Sequence, residues 1–240
     1  TVLEINPVAG TASTFGSLSG ALKWAGGVLA PNGKIYGIPY DSTTVLEIDP
    51  VALTTTTFGS LSGSTKWHGG VLAPNGKIYG IPIGSATVLE IDPVAQTATT
   101  FGSLGGGFKW AGGVLAPNGK IYGIPYDSGT VLEIDPVAGT ATTFGSLSGS
   151  AKWNGGVLAP NGKIYGIPDS SSTVLEIDPV AQTTTTFGSL SGLAKWNGGV
   201  LAPNGKIYGI PHENTTVLEI GTGGLTLPDD MVLSAYLNKY

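Results

Sequence analysis

A chain of 240 residues with 39 glycines, 16 prolines and only 11% charged residues reads as an all-β protein whose strands are covered on both faces. Its formal net charge is −5 and all 11 of its basic residues are lysines, which excludes the basic, arginine-bearing footprint of a nucleic-acid binder. The absence of cysteine excludes disulfides and thiolate chemistry, and no apolar run is long enough to cross a bilayer as a helix, so no membrane insertion is expected.

The chain opens on two strand-like pieces, TVLEI at Thr1–Ile5 and TASTFGSL at Thr11–Leu18. A start at Thr1 reads as a processed chain or part of a longer one. From Lys23 to Pro39 runs KWAGGVLAPNGKIYGIP, which returns from Lys66, Lys109, Lys152 and Lys195, a spacing of 43 residues, changed only at Ala25, His68, Ala111, Asn154 and Asn197. Such a period implies an array or a propeller. Each unit supplies four short strands. GGVLAP comes first. Asn-Gly, which favours the positive φ of a tight hairpin, joins it to KIYGIP. TVLEIDP follows a four-residue turn, and a Thr-rich strand ending in FGSL closes the unit. The strands are β-branched or aromatic and are punctuated by Gly and Pro.

Four antiparallel strands repeated at one spacing predict a closed β-propeller. The order Gly-Val-x-x-Pro-Asn-Gly, Ile-Tyr, then a hydrophobic strand ending in Asp-Pro resembles the blades of NHL-type propellers and, more loosely, tachylectin-type lectins. That resemblance covers residues 1–220 and implies that GGVLAP is innermost and the Thr-rich strand outermost. Five Lys-Trp pairs count five blades, but TVLEI occurs six times, from Thr1, Thr44, Thr87, Thr130, Thr173 and Thr216. A five-bladed ring is expected, with a closing blade built from both chain ends; six or more blades is the alternative. Residues 221–240 leave the pattern. Asp229 or Asp230 would cap a short helix from Met231, as a cover for the closing blade or an assembly contact.

Comparing the repeats with one another localises the edits. PNGK is identical in all five copies, whereas the turn after GIP begins with Tyr40, Ile83, Tyr126, Asp169 or His212, and the two residues before each Lys-Trp also change. Alternate connections of a meander lie on the same face, so the edits gather on one face of the propeller. This predicts a recognition face on a constant scaffold. Its candidate ligand-binding residues are the pairs Lys23-Trp24, Lys66-Trp67, Lys109-Trp110, Lys152-Trp153 and Lys195-Trp196, with His68, Asn154 and Asn197 beside them and Tyr40, Tyr126 and His212 in the turns. One reading packs each Trp between blades under its Lys. The other makes each Trp the floor of a shallow sugar site, giving avidity for clustered glycans.

No catalytic or metal constellation stands out. His68 and His212 lie in different repeats with no fixed carboxylate partner, the repeated Asp before Pro is a turn-former, and the mid-strand glutamates are expected to pair with lysines between blades. An active site is normally one asymmetric constellation, which repetition disfavours. The sequence therefore predicts a non-enzymatic, cofactor-free module that binds glycans multivalently, in an extracellular, cell-surface or virion setting. The alternative is a structural or protein-docking propeller that grips a protein partner through the variable face or the tail.

Overall fold

A computed structural model describes residues 1–223. The expected helix from Met231 lies outside the described residues.

Four complete blades are four-stranded antiparallel meanders. Blade I contains β3 (Trp24–Leu29), β4 (Ile35–Pro39), β5 (Val45–Asp49) and β6 (Thr54–Phe58); blade II contains β7 (Trp67–Leu72), β8 (Ile78–Pro82), β9 (Val88–Asp92) and β10 (Thr97–Phe101). Blade III contains β11 (Trp110–Leu115), β12 (Ile121–Pro125), β13 (Val131–Asp135) and β14 (Thr140–Phe144); blade IV contains β15 (Trp153–Leu158), β16 (Ile164–Pro168), β17 (Val174–Asp178) and β18 (Thr183–Phe187). Ahead of them, β1 (Val2–Asn6) and β2 (Thr11–Phe15) form a two-stranded sheet; after them, β19 (Trp196–Leu201), β20 (Ile207–Pro211) and β21 (Leu218–Ile220) form a three-stranded one. The inner strands β3, β7, β11, β15 and β19 pack consecutively. The glycine-rich strand is innermost because that is where backbones meet. Gly26 has φ +89°, and a Cβ there would lie 3.1 Å from the Cα of Gly69, so a side chain would be both strained and crowded against the next backbone.

The core lies between blades. Tyr36, Ile38 and Val45 on the forward side of blade I pack against Trp67, Ile78, Leu89 and Ile91 on the backward side of blade II. The same arrangement recurs at the next three junctions. Each constant hairpin adds a polar latch. In blade I, the Asn32 amide donates to the Tyr36 hydroxyl at 2.9 Å, that hydroxyl donates to Glu47 Oε2 at 3.0 Å, and Lys34 Nζ donates to Glu47 Oε1 at 2.6 Å. Asn75 of blade II reaches the Pro136 carbonyl of blade III at 3.2 Å. The mid-strand glutamate therefore pairs with the lysine of its own blade, not across blades as expected. The hairpin brings Lys34 beside Glu47, and the cross-blade links fall to Asn and Tyr and, where the next blade carries it, to Gln, as Gln96 donates to Glu47 Oε2 at 3.1 Å.

The closing blade expected from both chain ends is not formed. β1 pairs with β2 through Val2↔Phe15 to Asn6↔Thr11, whereas β20 takes β21 through Ile207↔Ile220, Tyr208↔Glu219 and Gly209↔Leu218. The C-terminal copy of TVLEI occupies the third-strand place next to β20, leaving the N-terminal copy with β2 alone. Residues beyond β21 continue onto the scaffold: the Thr222 hydroxyl donates to the Gly205 carbonyl at 2.9 Å.

Candidate functional site at the variable mouth

The Lys-Trp pairs are scaffold. Trp67, Trp110, Trp153 and Trp196 are buried, and Lys66, Lys109, Lys152 and Lys195 are buried with them. Every indole N–H is used within its blade: Trp24 Nε1 donates to the Thr44 carbonyl, Trp67 Nε1 to Thr87, and so on round the repeats at 2.7–2.8 Å. Each lysine folds back over its own indole, with Nζ 5.6–6.0 Å from the ring centroid. It also donates to a carbonyl of the preceding loop, as Lys195 Nζ does to Gly192 at 2.9 Å. Burial pushes the Lys109 ammonium below its usual range. The expectation that Trp forms a sugar floor is therefore corrected. Only Trp24 and Lys23, next to the incomplete N-terminal sheet, are half-buried.

The edited positions behave differently, and a β-bulge is the reason. Trp67 pairs with Pro82 and Gly70 with Gly80, so His68 and Gly69 together oppose the single residue Ile81. The same shift occurs in every inner strand. A bulge takes a side chain out of the strand's alternation and re-aims it, and the variable residue after each Trp is the first residue of that bulge. The variable turn of one blade meets the bulge of the next because backbones tie them: the Tyr40 carbonyl accepts from Lys66 N at 2.9 Å and from Lys66 Nζ at 3.0 Å. The Tyr126 carbonyl does the same for Lys152, and the Asp169 carbonyl accepts from Lys195 N at 3.0 Å.

The edited residues therefore form a collar of adjoining pairs at one end of the inner strands. Tyr40 meets His68 edge-to-face, ring centroids 6.5 Å apart. Ile83 and Ala111 follow, both buried. Tyr126 with Asn154 and Asp169 with Asn197 come next, and exposed His212 and Glu213 end the series. His68 is half-buried, its Nδ1 is shut off from solvent without a hydrogen-bond partner among the described residues, and burial pushes its pKa down. Asp169 is buried too. Burial pushes its carboxyl up and Glu213 adds to that, while Ser170, His212 and Lys195 oppose the rise. Burial likewise raises the Tyr126 phenol, with help from Asp169 and Asp127. An open cavity of about 930 Å³ lies further along the inner strands, faced by Val28, Leu29, Pro31, Leu72, Pro74 and Leu115 at the PNGK end and by none of the collar residues.

His68, Tyr40, Tyr126, Asn154, Asn197 and His212 thus fall in one series, and the Lys-Trp pairs do not share it. Sequence reasoning placed Asp169 in the variable turn but not in the site; its signal was the edit itself, since the other four copies carry Tyr, Ile, Tyr and His there.

Comparisons with known proteins support the fold. No family model matches the chain, and no curated protein matches it. Among solved structures, virginiamycin B lyase from Staphylococcus aureus superposes with a TM-score of 0.75 at 11% identity, over 92% of this chain and 77% of that one. Hydrazine synthase from Kuenenia stuttgartiensis gives 0.65 at 15% identity, over 87% and 68%. An auxiliary nutrient binding protein from Bacteroides ovatus gives 0.63 at 15% identity, over 91% and 63%. These likenesses establish a repetitive, propeller-type all-β fold. They also correct the expectation that the chain is not an enzyme: the lyase and the synthase are enzymes by name, so repetition of a blade is no argument against catalysis. The physical reason is visible in the collar, where near-identical repeats present four different side-chain pairs.

Proposed function

We propose that the protein binds a small polar ligand, of carbohydrate type, in a single asymmetric site at the variable mouth. The observation that carries this reading is the convergence of the edits: the residue after each Trp and the first residue of each GIP turn come together pairwise, as Tyr40 and His68 do. Phenol, imidazole, amide and carboxylate groups around one rim offer the donors and acceptors a sugar needs, and Tyr40 and Tyr126 offer ring faces for its apolar side. The site is one rim with unlike sectors, so multivalent avidity through five Trp floors drops out of the reading.

A glycan array with the wild type beside Tyr126→Ala and Asp169→Asn tests it. Binding that both variants lose supports the site; binding that both retain, or no binding by folded wild type, overturns it. His68 favours a second reading, in which the same rim transforms what it binds. Burial favours the neutral form of its imidazole, whose Nδ1 has no hydrogen-bond partner among the described residues and whose ring lies beside Tyr40, and a neutral imidazole is fit for general-base work. Consumption of a bound ligand by the wild type but not by His68→Gln distinguishes turnover from binding.

A further inference from the structure

The two incomplete sheets at the chain ends are complementary halves of one blade. Interior blades bury Leu89, Leu132 and Leu175 completely, and Ile91, Ile134 and Ile177 likewise. The equivalent residues of β1 are bare: Leu3 is 62% exposed and Ile5 67%. At the other end, Ile38, Ile81, Ile124 and Ile167 have no exposure, while their counterpart Ile210 is 50% exposed, with Val200 and Val217 open beside it. The exposed residues at the N-terminal end belong to the backward side of a blade, and those at the C-terminal end to the forward side. These are the two sides that pack together at the interior junctions.

The strand inventory matches as well. Among the described residues, β1 and β2 are the third and fourth strands of a blade with no inner pair beside them, and β19 and β20 are an inner pair joined by the short β21 alone. The consequences show in the neighbours. Phe187 of blade IV is 40% exposed, whereas Phe58, against which Ala98 of the next outer strand packs, is half-buried. Trp24 and Ile35 of blade I are half-buried, whereas Trp67 and Ile78 of blade II are buried.

We propose that β1–β2 of one copy of this chain completes the β19–β20 sheet of a second copy. β1 takes the place of β21, in the register seen inside the blades: Ile207 opposite Ile5, Tyr208 opposite Glu4 and Gly209 opposite Leu3, as Ile35, Tyr36 and Gly37 stand opposite Ile48, Glu47 and Leu46. Leu3 and Ile5 then cover Tyr165 and Val174, Ala12 covers Phe187, and Val200 and Ile210 close over Trp24 and Ile35. The exchange gives up the three residues of β21 and the burial of Leu218 and Ile220, and gains a five-residue strand already paired to a fourth. Main-chain pairing supplies affinity and the alternating pockets supply specificity. Such a contact is head-to-tail and need not close, so it yields chains of copies as well as rings. The second copy is preferred over closure within one chain because β1–β2 already sits against blade I, where a Cβ on Gly16 would touch Thr55, and β19 already packs on β15. The two sheets stand unpaired in the single chain, so joining them within it requires the arc of blades to change, while joining two copies leaves the interior junctions as they are.

The proposal does not depend on the ligand site. It is tested by light scattering on wild-type protein over a concentration series, beside a Leu3→Lys/Ile5→Lys double variant and a Leu218→Lys variant that releases β21. The expected results are a mass that rises with concentration in the wild type, association weakened about a hundredfold or more in the double variant, and stronger association in Leu218→Lys. The double variant alters residues that are exposed in the single chain, so circular dichroism is expected to show it folded. A wild type that stays monomeric overturns the proposal, whether hydrogen exchange finds β1 protected, as in a closed ring, or open. So does assembly that survives the double variant, or Leu218→Lys that associates no better than wild type.

Discussion

The two ends of each blade use their polar residues in opposite ways. At the PNGK end, Asn, Tyr, Lys and Glu bond to one another in every repeat, and the Asx turn after TVLEID closes on itself, with Asp49 Oδ1 accepting from Val51 N at 3.0 Å and Ala52 N at 2.8 Å. At the Lys-Trp end, the constant pair is satisfied in the same inward manner, but two of the edited residues beside it are not: among the described residues a half-buried imidazole nitrogen has no partner and a buried carboxylate has only a 3.4 Å contact from Ser170. A polar group buried without full hydrogen bonding destabilises the fold, so groups of that kind gathered at one mouth mark function more sharply than exposure does. The comparison can be broken or sharpened by substitutions on either side of it.

The largest effect is expected from the constant pair. Trp153→Ala removes a buried indole and its bond to the Thr173 carbonyl, which keeps only the Ser171 hydroxyl as a side-chain donor, and denaturant unfolding is expected to show a loss of about 3–5 kcal/mol. A folded variant of unchanged stability with lost ligand binding would restore the sugar-floor reading.

Next in size is the latch. Glu133 is buried; burial pushes its carboxyl up, and bonds from Lys120, Gln182 and Tyr122 outweigh this, holding it below the usual carboxylate range. Its contribution is present above the unfolded carboxylate pKa and is lost as pH falls through the lower folded value. Glu133→Gln is expected to cost about 1–3 kcal/mol at neutral pH and to flatten the acid limb of a stability-against-pH curve. Glu219→Gln, at the open end where the same pair is solvated, is expected to change the melting temperature far less.

His68 gives a smaller effect at a different pH. Burial lowers its folded pKa, so the unfolded chain takes up the proton first, and stability falls as pH drops below the ordinary imidazole value of 6.5. His68→Asn is expected to remove that fall, a change of about 1 kcal/mol or less, visible as melting curves that no longer separate between neutral and mildly acidic buffer.

Much of this was legible beforehand, and the failures share a cause. The 43-residue period and the Asn-Gly hairpins gave the four-stranded blade because turn dihedrals and β-branching are local properties. The variable face was legible because repeats in one chain can be compared position by position. Trp and Lys misled because residue type does not reveal whether an aromatic surface faces a ligand or the next blade; that is decided by the junction, where Trp67 meets Ile38 and Val45. Asp169 was passed over because a carboxylate in a turn reads as solvated, and only packing shows that it is not. The closing blade failed for a related reason: identical TVLEI copies carry no information about which one occupies the place beside β20.

The smallest effect on stability is also the one that tells most about the mouth. Burial and the nearby Glu213 raise the folded pKa of Asp169, so its ionised form opposes folding. The sign is the reverse of that for Glu133: the cost is absent at acid pH, where Asp169 is protonated in both states, and appears as pH rises through the ordinary carboxylate value. Asp169→Asn is therefore expected to melt slightly higher than wild type at neutral pH and equal to it in acid, while ligand binding at the mouth weakens. Melting curves at the two pH values, taken beside the binding measurement, read both arms. A variant that melts lower than wild type at neutral pH would show that the carboxylate serves the scaffold as the constant glutamates do, and the distinction between the two ends of the blade would fail at that residue. A gain in stability with a loss of binding is the behaviour of a group held against its own preference for water, as functional groups commonly are.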